Sequence, residues 1–263
     1  MKYDISWVMQ SYLGEYKGSR SNADKKFIRT VKSFLAINDP RTQLVIASDG
    51  CQITHDLYHK HFKKYENISY VYVDKDTPKM YEKIEGQEEG VQYYRGVPRQ
   101  AARALVEGYL TAYIDSDDFL MPNASQIIKS WWNGNVKANP DKDYKWGAMT
   151  QWIENIAFKE YLDKQKSEPI LGPISEPFAI KGLKSKWQKY SMLEPTKHVQ
   201  STTWATVHRS DCITRWQDHM SNPNKGGISE DTIFARGIRK EGHGMLIGDG
   251  FYVRCHYSGI WDY

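Results

Sequence analysis

The chain has 263 residues, 40% of them hydrophobic, with 36 basic against 32 acidic side chains and a formal net charge of +4. That is enough apolar material for one large domain or two small ones. It is far from the composition of a disordered or collagenous chain, and too mildly basic for an obligate nucleic-acid binder, though an anionic ligand is compatible with it. Cys51, Cys212 and Cys255 are widely spaced, which suggests neither a disulfide framework nor a zinc knuckle and fits reduced thiols in a cytoplasm. No run approaches the roughly 18 apolar residues of a membrane span, so a soluble, unprocessed protein without an integral membrane segment is expected.

Apolar strand-like runs alternate with amphipathic segments through the first half. The expected order is a strand at 5–9, a helix over 23–37, a strand at 44–48, a helix over 52–64 and a strand at 68–73. This β-α-β-α-β rhythm predicts a mostly parallel central sheet with helices on its faces. Residues 75–95 are too charged and glycine-interrupted for a core element and read as a surface insertion. A helix starts after Gly96, with Pro98 near its first turn, and leads into a strand at 109–114. Then follow a helix over about 123–134, a strand near 146–153 and a long irregular stretch from 160 to 200. A strand near 202–207, a helix at 211–218, a helix from Ser229 and a strand at 245–254 close the chain. No linker or repeat interrupts it, so 1–263 is expected to be a single domain.

The strand at 109–114 runs straight into Asp115, Asp117 and Asp118. Carboxylates so close repel, and burying them is costly without a cation or hydrogen bonds. The cluster therefore either sits in water as a turn or helix cap, or holds a cation of the magnesium or manganese type, which takes one or two carboxylates and completes its shell with phosphate and water. Its position past the carboxyl end of a sheet strand is where open α/β sheets bind ligands.

The segment 96–118, GVPRQAARALVEGYLTAYIDSDD, resembles the glycosyltransferase family 2 pattern of the GT-A fold, G-x-x-x-R-N-x-G-I-x-x-A-x-G-E-Y-I-x-F-L-D-x-D-D. Arg99 precedes Asp115 by the family's sixteen positions, and Gly108, Tyr113, Ile114 and the three aspartates fall in register; Gln100, Ala102 and Val106 replace Asn, Gly and Ala. Upstream, ISWVMQSYLGEY resembles the family's first strand and P-x-Y loop, with Gln10 for the proline, and LVIASDGC its V-I-V-D-D-G-S strand end. Downstream, GGISEDTIFARGIRKEGHG resembles its Gly-rich loop and Glu-Asp motif. The match covers about 1–120 well and 200–256 thinly.

The resemblance implies a GT-A fold in which 1–120 binds a nucleotide-sugar and 121–263 an acceptor. It implies a metal-dependent inverting transfer of a sugar from a nucleotide-diphosphate sugar to an acceptor hydroxyl on a glycan, glycolipid or other polar molecule. Asp231 would be the catalytic base, supported by Glu230. Asp117, Asp115 and His256 would hold Mn2+ or Mg2+, while Ser11, Tyr12, Ser48, Asp49, Arg99, Asp115 and Ser116 would face the donor and Trp204 the acceptor. In this family the first Asp of the D-D-G turn contacts the nucleotide base; here Ser48 has that place and Asp49 follows it. Arg20 is a further candidate for the phosphates.

Three other readings compete. The run KGLKSKWQKY (181–190) interleaves lysines with Trp187 and Tyr190, a composition that is either a solvated helix face or a nucleic-acid contact. The second case would suit a phage-type transferase acting on a hydroxylated DNA base. A dehalogenase-type phosphatase also uses D-x-D, but needs Thr or Val where Phe119 stands. A non-catalytic nucleotide-sugar-binding module would keep the fold and lose the base.

Overall fold

A computed structural model describes residues 1–14, 22–74, 96–154, 190–193, 206–216 and 230–254. One nine-stranded mixed sheet organises them. Its first half is parallel and runs in the spatial order β3 (Ile68–Val73), β2 (Thr42–Asp49), β1 (Tyr3–Ser11), β4 (Gly108–Tyr113). The order continues through β8 (Thr206–Arg209), β6 (Tyr144–Glu154), β9 (His243–Arg254) and β5 (Phe119–Leu120), with β7 (Tyr190–Leu193) also on β6. In this half β6 and β9 are parallel, and the pairings of β8, β5 and β7 are antiparallel.

Every residue of β2 is buried and nearly every residue of β1. Both strands are covered on both faces, so they read as continuous apolar runs without alternation. Helix α1 (Ala23–Ala36) places Phe27, Val31 and Phe34 on one face at helical spacing, and all three are buried in the main core with Trp7, Ile46 and Phe251. Helix α2 (Gln52–His61) follows β2 through a tight turn in which Gly50 takes a φ of 58°, a left-handed conformation that suits glycine. Helices α3 (Gly96–Arg103) and α5 (Glu230–Lys240) contribute Ala102, Phe234 and Ile238 to a second apolar cluster with Val8, Val45 and Tyr113, and α4 (Ala124–Ala138) buries Ile128 and Trp132.

The chain builds β1, β2 and β3 outward in one direction, then returns to lay β4 against the other side of β1. The strand order reverses there, and the carboxyl end of β4 delivers Asp115–Asp118 to that crevice.

The strands and helices expected through residue 154 are present within a few residues of their expected bounds, and so are the last helix and strand. Two differences stand out. Strand β5, only two residues long, carries no pattern that a sequence shows. The helix expected at 211–218 does not form over 211–216, because tertiary partners hold that backbone. The Glu241 carboxylate accepts from the N–H groups of Ile213 and Thr214, Gln100 Oε1 accepts from the N–H of Trp216, and Arg103 donates to the carbonyls of Cys212 and Thr214. The insertion at 75–95 and most of the 160–200 stretch lie outside the described residues, and within that stretch, expected to be irregular, Tyr190–Leu193 forms β7 on β6.

Gly108 explains one position of the sequence pattern physically. A Cβ there would lie 2.6 Å from the Ser6 backbone nitrogen and 2.7 Å from Ser6 Oγ, the atom that accepts the Gly108 N–H at 2.9 Å. Gly108→Ala must push β4 away from β1. It is expected to cost about 1–3 kcal/mol, read as a fall of several degrees in Tm, while Gly134→Ala, where a Cβ meets open space, should hold or raise Tm.

Candidate active site

The aspartate turn is held from two sides. Behind it, the Thr30 hydroxyl on α1 contacts the carbonyl oxygens of Ser116 and Asp118, Arg29 donates to the carbonyl of Asp117, and Ser33 Oγ accepts the N–H of Leu120 at 3.0 Å. From β9, the Tyr252 hydroxyl donates to Asp118 Oδ2 at 2.6 Å and accepts the Asp115 N–H at 3.1 Å. Burial, then the neighbouring Asp118 and Asp115, raise the pKa of Tyr252 well above the usual phenol value, so the hydroxyl stays a donor.

These contacts divide the three carboxylates. Asp118 is fully buried and anchors the turn, whereas Asp115 and Asp117 are partly exposed. Removing the hydroxyl in Tyr252→Phe takes one partner from a buried carboxylate. It is expected to cost about 1–3 kcal/mol and to lower Tm by several degrees.

Arg99, on α3 and buried, joins two candidate residues from distant parts of the chain. Its Nη1 lies 2.6 Å from Asp231 Oδ1 and its Nη2 3.7 Å from Asp115 Oδ1. Its guanidinium sits 4.7 Å above the ring of Trp216, an attractive cation–π arrangement. Trp216 stacks on Phe234 with centroids 4.2 Å apart, and its Nε1 donates to the Tyr113 hydroxyl at 3.3 Å.

Tyr113 in turn faces Nε2 of His208 at 3.0 Å, and His208 Nδ1 lies 2.7 Å from the Arg209 carbonyl. A carbonyl only accepts, so Nδ1 carries the proton and Nε2 accepts from Tyr113. Burial first, then the Arg103 charge, bring His208 down to about 3, and burial pushes Tyr113 up to about 12. Both groups are neutral at physiological pH.

From its ordinary value of 6.5 down to about 3, His208 takes up a proton in the unfolded chain but not in the native one. Its contribution to stability is therefore complete above pH 6.5 and is lost as the pH falls through that window, by at most about 1.4 kcal/mol per unit. Urea unfolding between about pH 5 and 7 should show this slope, and His208→Gln should lack it.

The other donor-side candidates lie at the neighbouring strand ends. Gln10 Nε2 donates to Asp49 Oδ2 at 2.9 Å, so the residue that replaces the family's proline is a partner for the candidate base-binding carboxylate. Ser48 is fully buried, and its hydroxyl bonds the carbonyl and the N–H of Cys51 at 2.9 and 3.2 Å, which ties up the turn into α2. Ser11 is likewise buried, with its hydroxyl 3.0 Å from that of Thr54, and Tyr12 beside it packs partly buried on the core.

The structure thus gathers Asp115, Arg99 and Asp231, with Asp117 two residues along from Asp115, and sets Ser48 and Ser11 to structural bonds. Arg20, Trp204, His256 and the 181–189 run lie outside the described residues, as does the side chain of Glu230. Sequence reasoning missed Trp216, Tyr252, Gln100, Arg29 and Thr30. Only Gln100 carried a signal, as a departure from the family's Asn beside Arg99.

Fold and strand-end site define an α/β protein of the GT-A type, and comparison with known structures shows the same fold. The chain is similar to residues 1–349 of Staphylococcus aureus TarS in complex with UDP-GlcNAc. The TM-score is 0.55 at 14% identity over 97% of this chain and 59% of that one. For the UDP complex the figures are 0.55 at 12% identity, covering 95% and 60%. Against the longer TarS structure they are 0.53 at 13%, covering 95% of this chain and 36% of TarS. The chain therefore spans less than two thirds of each of those structures. No protein-family model matches the sequence, and no curated protein matches it.

Proposed function

We propose that the chain is a glycosyltransferase that moves a sugar from a nucleotide-diphosphate sugar to an acceptor hydroxyl, in the manner of family 2 enzymes. The observation that supports it most is the Arg99 bridge. It sets a solvent-reachable carboxylate, Asp231, beside the Asp115–Asp117 turn at the crevice of a fold whose neighbours include complexes with UDP and UDP-GlcNAc.

The donor set fits a hard divalent cation. Among the described residues no group of three or more His, Cys, Asp or Glu is gathered for a metal. Asp115 and Asp117 would therefore supply two carboxylates, with His256 as the proposed third ligand and diphosphate and water completing the shell, as Mg2+ or Mn2+ prefers. Such an ion, when bound, offsets the charge of the departing diphosphate.

The chain's own groups then have defined tasks. Asp49, buried at the end of β2 and bonded by Gln10, is the proposed partner of the base edge. Asp231 accepts the proton of the acceptor hydroxyl as its oxygen attacks C1 of the sugar. Arg99 orients that carboxylate and holds positive charge near the phosphates. Attack opposite the breaking C1–O bond inverts the anomeric centre. Trp204, on the approach to β8, is the proposed acceptor platform, with the first half of the chain serving the donor and the second the acceptor.

A panel of nucleotide sugars with Mn2+, read by donor hydrolysis and thermal shift, tests this. One donor is expected to raise Tm in the wild type and much less in Asp117→Asn. Asp231→Asn should keep that shift while kcat falls about 10²–10⁴-fold. Wild-type activity surviving intact in Asp231→Asn would overturn the assignment of the base.

A further inference from the structure

We infer that Trp216 is a positioning residue for this reaction, one that aligns Asp231 through Arg99; the inference rests on the proposed role of Asp231 as base. Trp216 touches all three elements that carry the site. Its ring lies under the Arg99 guanidinium of α3 at 4.7 Å. The same ring stacks on Phe234 of α5 at an interplanar angle of 5°, three residues beyond Asp231. Its indole N–H reaches the Tyr113 hydroxyl at the end of β4, two residues before Asp115. Its backbone N–H is fixed by Gln100 Oε1 at 3.0 Å, one residue from Arg99.

The indole is 3% exposed, so it acts as a rigid plate. An arginine side chain has many rotamers, and a flat aromatic face beneath it selects those in which the fork lies parallel to the ring. With that face stacked on Phe234, one ring packs against both the Arg99 guanidinium and the helix turn that carries Asp231. A shift of about 1 Å in a reacting carboxylate is enough to lower turnover as much as 10²-fold without changing substrate binding. Removing the plate should therefore appear in kcat and not in donor affinity.

The test is a double-mutant cycle on the full chain with the donor found active. Trp216→Phe keeps an aromatic face and should lower kcat only about threefold, whereas Trp216→Leu should lower it about 30-fold, both with donor KM within about threefold of wild type. In an Asp231→Asn background the same two substitutions should cost less than about twofold, because a residue that acts through Asp231 has nothing left to align. Full multiplication of the two effects, or a loss of donor binding with kcat retained, would overturn the inference. If Asp231→Asn leaves wild-type activity, the base assignment fails instead, and the two failures are distinct. Should Trp216→Leu not fold, Trp216→Phe decides alone: its loss of kcat must vanish beside Asp231→Asn. If no donor is turned over, the cycle is run on urea unfolding, where Trp216→Phe and Asp231→Asn must be non-additive; additive effects would overturn the inference.

Discussion

The arrangement depends on the burial of one cation. Arg99 is 6% exposed, and a guanidinium withdrawn from water is tolerable only where carboxylates and a polarisable face replace its hydration. Asp231, Asp115 and Trp216 supply these from three separate elements. The charge requirement of a single side chain thus brings α3, the end of β4, the 211–216 segment and α5 to one point. Two carboxylates that would repel one another are held by one fork. A lysine would place a point charge there without the planar face that stacks on Trp216.

The aspartate turn solves a related problem in another way. Its three carboxylates lie within four residues, and the protein withdraws one from the other two. Tyr252 takes Asp118 into the core, while α1 meets the carbonyls of Ser116, Asp117 and Asp118 from behind. These contacts fix the backbone of the turn, while Asp115, which also meets Arg99, and Asp117 stay partly exposed. A main chain fixed in this way holds the two partly exposed carboxylates in place.

The fold was legible where burial on both faces writes a continuous apolar run, as in β1 and β2, or where helical spacing is clean, as at Phe27, Val31 and Phe34. The site was legible in part, since Asp115, Arg99 and Asp231 could be aligned to a known pattern and do meet in space. Trp216 and Tyr252 could not be found this way, because their roles come from contacts with residues more than 100 positions distant. Nothing local distinguishes them from core aromatics. The segment 211–216 was misread as helix for the same reason. Its local sequence permits a helix, but Glu241, Gln100 and Arg103 take its backbone groups and offer better partners than a short helix would.

At Ser48 the chain departs from the pattern it resembles, and the strand end closes in another way. Where the family pattern has Asp, a hydroxyl now closes the turn onto Cys51. A carboxylate can only accept there, whereas the hydroxyl both donates to the Cys51 carbonyl and accepts its N–H. The turn is thereby self-sufficient, and the acidic charge at this strand end falls to Asp49 alone. Gln10 stands where that pattern has proline, which has no side-chain donor, and its amide bonds Asp49 across the β1–β2 boundary. The two departures lie at neighbouring strand ends, and the carboxylate that Gln10 bonds is the one proposed to read the base.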